Sequence, residues 1–170
     1  MDRRYALVLV ISVACVACSQ PHGAASPSAG PAAHATSVAA SHIARTGPQY
    51  LRDLLQHPDF ASAFVALSGA DQLPPWTRQG GTSTPAQRVE LEGRAWWLAT
   101  ACKPHDCPSE RILVLYDENT HAMSGLFARR KPGEPSDVDS NDPANDDWIW
   151  LGAPDDAAKQ LLQQKLYSPD

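Results

Sequence analysis

Cys102 and Cys107 lie five positions apart and enclose Lys103, Pro104, His105 and Asp106. Residues of these types at this spacing admit several kinds of chemistry. A zinc site needs about four ligands, and two thiolates with one imidazole in so tight a loop fall short of that set. A thiol oxidoreductase would separate its cysteines by two residues at a helix start beside a βαβ pattern. Here four residues intervene in a strand-rich stretch. A structural staple with an incidental histidine requires only that the cysteines pair. A recognition loop requires more: stiffness before contact, so that little conformational entropy is lost on binding. Spacing leaves the staple and the recognition loop both open. Pro104 fixes one φ angle, and pairing in an oxidising compartment is expected to fix both ends. Closing so short a loop contributes about 2 kcal/mol in the chain-entropy model, less any strain.

Catalytic alternatives are weak. The chain has no G-x-S-x-G, no H-E-x-x-H and no phosphate-binding glycine loop. His105 and Asp106 are neighbours on one loop, a poor start for a nucleophilic triad. His22, His34 and His42 are scattered through a small-residue linker, which predicts no metal. The expectation is a protein that is not an enzyme and uses neither metal nor cofactor.

The oxidising compartment is implied by the chain's start. Arg3 and Arg4 precede an apolar run from Tyr5 to Ala17. That run is shorter than the roughly 20 residues a membrane-spanning helix needs, and it fits the h-region of an export signal. It ends in Cys15-Val16-Ala17-Cys18-Ser19, which resembles the lipobox of bacterial lipoproteins, although Cys15 stands where a leucine is usual. Residues 1–18 are therefore expected to be a signal peptide, with lipidation at Cys18 and a periplasmic, membrane-tethered product. Residues 19–47 are rich in Ala, Pro, Ser, Gly and Thr and bury too little apolar surface to order, so they read as a tether. Residues 48–170 suffice for one domain.

The formal charge is −5, and loss of the leader with Asp2, Arg3 and Arg4 makes it −6. A nucleic-acid binder would carry a basic patch instead. Eight carboxylates (Glu134, Asp137, Asp139, Asp142, Asp146, Asp147, Asp155, Asp156) fall in a stretch with no Lys or Arg. This stretch reads as a solvated loop, and also as a negative field that would speed encounter with a basic partner.

The elements that must position the loop follow from periodicity. Leu51, Leu54, Leu55, Phe60, Phe64 and Leu67 line one face of a helical stretch over Pro48–Ser68, broken at Pro58. Leu73-Pro74-Pro75-Trp76 reads as extended, and Gly80-Gly81 as a turn. Strands are expected at Gln87–Leu91, Arg94–Ala101, Arg111–Tyr116, Met123–Arg129 and Trp148–Leu151, with Gly125 marking a bulge or a close backbone approach. Asp155–Tyr167 closes the chain as a helix with aspartates at its start. Trp96, Trp97, Trp148 and Trp150 read as core or sheet-face residues. Short connections favour antiparallel pairing, so the fold class is α+β: a meander-like antiparallel β-sheet of about five strands flanked by N- and C-terminal helices.

Four segments occur in order: Leu73-Pro-Pro-Trp76, Gly80-Gly-Thr-Ser-Thr-Pro-Ala-Gln87, Cys102-Lys-Pro-His-Asp-Cys107 and Met123-Ser-Gly-Leu-Phe127. Their order and spacing resemble the inhibitor of vertebrate lysozyme (Ivy) family, over about Tyr50 to Tyr167. The lipobox, the tether and a Pro- and Asp-rich insertion around Pro132–Asp147 depart from the family's usual form. The resemblance implies an inhibitor of chicken-type lysozyme. It further implies that His105, at the loop tip, enters the enzyme's cleft and meets its paired catalytic carboxylates. Asp106 would shape the loop or accept a bond from the enzyme's rim, and Lys103 either joins the contact or points to solvent. Other readings are restraint of the cell's own lytic transglycosylases, whose cleft is related, or a non-inhibitory cell-envelope binding module. A homodimer is compatible with each.

Overall fold

The computed structural model describes residues 47–134 and 141–168. The expected signal peptide with Cys18, the tether up to Thr46, and Asp137 and Asp139 lie outside the described residues. Among the described residues no helix is long and apolar enough to cross a membrane.

The N-terminal helical stretch is two helices, α1 (Leu51–Leu54) and α2 (Pro58–Ala66). The Tyr50 N–H donates to the Asp53 carboxylate at 3.0 Å and starts the first. Pro58 separates them: it holds His57 extended (φ −80, ψ 122) and then serves as the first residue of α2, where its missing N–H costs nothing. Leu51, Leu54, Phe60, Phe64 and Leu67 are all buried, as their spacing predicts.

The sheet comprises β1 (Thr82–Ser83), β2 (Gln87–Leu91), β3 (Arg94–Cys102), β4 (Glu110–Tyr116), β5 (Met123–Arg130) and β6 (Asp146–Leu151). All pairings are antiparallel; β2 to β6 run as a meander, and β1 pairs β3 beyond the end of β2. Alternation along the strands divides the core into two layers. Trp97, Ala99, Ile112, Val114, Tyr116 and Phe127 face α1 and α2. Trp96, Leu98, Leu113, Leu115 and Leu126 face α3 (Asp156–Tyr167), which buries Ala158, Leu162 and Leu166 against them. Cover on both faces explains why Ile112–Tyr116 is an unbroken apolar run. Asp155 caps α3 by accepting the Ala158 N–H at 2.8 Å.

The β4–β5 register is continuous through Val114↔Gly125, so Gly125 marks no bulge. It marks a close approach: a Cβ there would fall 2.6 Å from the Leu113 carbonyl oxygen. Trp96 and Trp97 are buried, while Trp148 and Trp150 pack half-buried on the α3 layer.

Two expectations are corrected. The Leu73–Trp76 segment is extended only to Pro74, and Pro75–Gln79 forms a 3-10 helix. Proline's fixed φ suits extended backbone and a first helical turn equally, so the prolines do not distinguish the two. The acidic stretch is also not a uniformly solvated loop. Asp146 is 6% exposed and is bound by Arg111, by Arg130 at 2.9 Å and by the Tyr167 hydroxyl at 2.8 Å. Asp142 and Asp155 cap helical turns. Asp146 is thus held by cations from β4 and β5, and its charge is spent inside the fold.

Candidate functional site

The β3–β4 connection is the disulfide loop. Cys102 and Cys107 are bridged, with their Cα atoms 4.7 Å apart. The chain makes two successive tight turns, one inside the bridge and one running past Cys107. The Asp106 N–H donates to the Lys103 carbonyl and the Ser109 N–H to the Asp106 carbonyl, each at 3.1 Å. The Lys103 N–H closes the base on the Glu110 carbonyl at 3.0 Å.

Pro104 and His105 are the central residues of the first turn, and His105 has φ 64. Proline followed by a positive φ is the type II pattern, whose third position favours glycine. A histidine there is uncommon and adopts the left-handed conformation at a cost. Its side chain is exposed, and it has no hydrogen-bond, ion-pair or ring partner among the described residues.

The rest of the loop is internally satisfied. Lys103 Nζ donates to the Asp106 carboxylate at 2.8 Å, and the Ser109 hydroxyl donates to the same carboxylate at 2.7 Å. These two bonds hold the Asp106 carboxyl below its ordinary range, the Lys103 bond being the larger cause. The same pairing raises Lys103. Lys103 and Asp106 are thus paired with each other across the first turn.

The loop base draws on distant segments. β1 pairs Thr82 with Cys102 and Ser83 with Ala101. Gly81 must be glycine-like there, because a Cβ would fall 2.6 Å from the Cys102 carbonyl oxygen and 2.7 Å from the Trp76 ring. The Trp76 indole N–H donates to Glu110 Oε2 at 2.7 Å, and Arg129 Nε donates to Glu110 Oε1 at 2.9 Å. Trp76 lies 6.3 Å from the Phe127 ring, centroid to centroid. So the segments around Trp76, Gly81, Cys102 and Phe127 meet at one end of the sheet.

Sequence reasoning placed Lys103, Pro104, His105, Asp106, Cys102 and Cys107 together, and they are together. It missed Ser109, Glu110 and Arg129. Ser109 stands three residues after Asp106, a spacing that suits a side-chain-to-turn bond. Nothing local signals that Glu110 meets Trp76.

A cleft of about 730 Å³ lies at the other end of the sheet against Arg88, Arg94, Trp97, Asp117 and Glu118. Its guanidinium groups are already paired, Arg88 with Glu118 at 2.6 Å and Arg94 with Asp117 at 3.4 Å. No cluster of metal-ligating side chains occurs among the described residues.

The disulfide loop thus stands at the end of the sheet with its tip residue unpartnered among the described residues. Residues 59–166 match the family model described as Inhibitor of vertebrate lysozyme (Ivy), and the chain belongs to that family. The Inhibitor of vertebrate lysozyme of Pseudomonas aeruginosa is 32% identical over 120 residues, covering 69% of this chain and 78% of that protein. The protein of the same name from Escherichia coli K12 is 45% identical over 67 residues. That match covers 39% of this chain, which thus spans under half (43%) of the E. coli relative's length. An uncharacterized protein of Yersinia pestis is 26% identical over 118 residues, covering 68% of this chain and 75% of its own.

Proposed function

We propose that this protein inhibits chicken-type lysozyme by inserting the Cys102–Cys107 loop into the enzyme's active-site cleft, with His105 leading. Family membership supports lysozyme as the class of target. The observation that carries the loop mechanism is His105 itself. It occupies a turn position that favours glycine, is exposed, and has an imidazole with no partner among the described residues. Backbone strain persists only where the surrounding structure over-determines it, as the disulfide and the Lys103–Asp106 pair do here.

The chemistry suits the target. A glycosidase of this class holds one catalytic carboxyl protonated and one ionised. An imidazole can donate to the ionised group and exchange a hydrogen bond with the other; protonated, it makes a charge-assisted contact. Lys103, Asp106 and Ser109 satisfy one another within the loop. The rigid backbone thus delivers one free polar side chain at little entropic cost.

A turbidity assay with bacterial cells, lysozyme and the oxidised protein tests the reading. Inhibition that is lost in His105→Ala supports it. Equal inhibition by parent and variant contradicts the insertion mechanism. The protein is further proposed to act in the periplasm, tethered through a lipid on Cys18. Metabolic labelling with a palmitate analogue that survives Cys18→Ser would sink that part alone.

A further inference from the structure

The loop is braced within itself by the disulfide and by the bonds of Lys103 and Ser109 to Asp106, so its direction depends on its base. Glu110 is the first residue of β4, and its side chain is 14% exposed. Its main-chain carbonyl takes the Lys103 N–H at 3.0 Å. Its carboxylate takes the Trp76 indole N–H on one oxygen at 2.7 Å and Arg129 Nε on the other at 2.9 Å. Trp76 belongs to the 3-10 helix that follows Pro74, and Arg129 to β5 opposite Glu110. Arg129 lies over the Phe127 ring at 5.4 Å, and Phe127 is fully buried. One carboxylate therefore joins the loop base to two separate elements that rest on the core. On the other side the base is held by the Thr82 and Ser83 pairings of β1.

We infer that Glu110 is a positioning residue of the inhibitory loop: by holding Trp76 and Arg129 across the loop's base, it fixes the direction in which the loop leaves the sheet. The inference rests on the proposed insertion of the loop into lysozyme. A loop free to swing at its base points correctly for only a fraction of the time, and the apparent dissociation constant rises by the inverse of that fraction. Once inserted, the loop is held by the cleft, so the change falls on association.

The experiment measures association and dissociation rates of the mature, oxidised chain with hen lysozyme, beside backbone amide exchange. Glu110→Ala is expected to weaken binding about tenfold, mainly through slower association. Its melting temperature should stay within a few degrees of the parent. Glu110→Gln keeps an acceptor for the Trp76 indole and should recover most of the loss; Arg129→Met should fall between. Exchange gives the signature that a merely structural role would not produce. The Lys103 amide, bonded to the Glu110 carbonyl, should speed up in Glu110→Ala, while the Asp106 and Ser109 amides inside the loop keep their protection. Unchanged binding, a loss confined to faster dissociation, or faster exchange throughout β3–β5 each overturns the inference. If the parent fails to bind lysozyme, the insertion reading falls, and the contrast between the Lys103 and Asp106 amides decides the role of Glu110 by itself.

Discussion

The sheet carries two hairpin connections at opposite ends of β4; only the first is closed by a disulfide, yet they share a backbone device. Residues 103–109 join β3 to β4, and residues 117–122 join β4 to β5. Each holds a histidine at positive φ, His105 at 64° and His121 at 57°. Each holds an aspartate kept below its ordinary range. Asp106 owes this to Lys103 and then Ser109. For Asp117 burial pushes upward, but bonds from Asn119 and Thr120 prevail. The His121 ring lies 3.0 Å from the Tyr116 hydroxyl, within hydrogen-bond reach. The His105 ring has no such partner among the described residues. The same backbone device thus serves a structural end in one hairpin and leaves a side chain available in the other. A left-handed histidine alone therefore does not mark a site, and the role proposed for His105 rests on its ring having no partner among the described residues.

The largest expected difference between the hairpins is in inhibition. His105→Ala should weaken it at least about 100-fold, the scale of a buried hot spot, whereas His121→Ala should leave it nearly unchanged. Opening the Cys102–Cys107 bridge, by Cys102→Ser or by reductant, should weaken inhibition about tenfold by lowering the fraction of competent loop. The same assay under reducing and oxidising conditions measures this.

Stability should separate the hairpins next. His105→Gly relieves the left-handed position without losing a bond and should melt above His105→Ala by about 1 kcal/mol of stability. His121→Gly gains the same relief but loses the Tyr116 contact, so its net change should be close to zero. Thermal melts of the glycine and alanine variants read this directly. An equal gain at both sites would erase the distinction.

The smallest effects are in pH dependence. Asp106 is lowered, so its contribution is present above the ordinary value of 3.8 and is lost as pH falls through the folded value. Lys103 is raised, so its contribution is present below 10.5 and is lost as pH rises through its folded value. Loop order read by NMR should therefore be flat between those limits. Asp117 is also lowered, and its contribution likewise disappears as pH falls. Because Asp117 is 2% exposed, acid should loosen its hairpin together with the body of the domain, while the Asp106 loop opens locally.

What was legible in the sequence follows the same division. Helical spacing of apolar residues located α2 and α3, alternation located β2, and a short apolar β-branched run located β4, with β3, β5 and β6 read between turn signals. The Cys102–Cys107 loop was legible because its residues are contiguous. The Pro75–Gln79 helix was not, since proline's φ serves two conformations. β1 was not either, because two residues show no alternation. Asp146 was misread because its partners Arg111 and Arg130 lie on other strands. Glu110 was missed for the same reason: its meaning comes from Trp76, brought to it only by folding.

His105 is proposed to act as the free tip of a rigid insert. The most direct measurement is lysozyme inhibition by the oxidised parent, His105→Ala and His121→Ala proteins, titrated side by side in one turbidity assay. Potent inhibition is expected from the parent and from His121→Ala, and a loss of about 100-fold from His105→Ala with the same melting profile. Equal inhibition by all three, or equal losses in both variants, would contradict it.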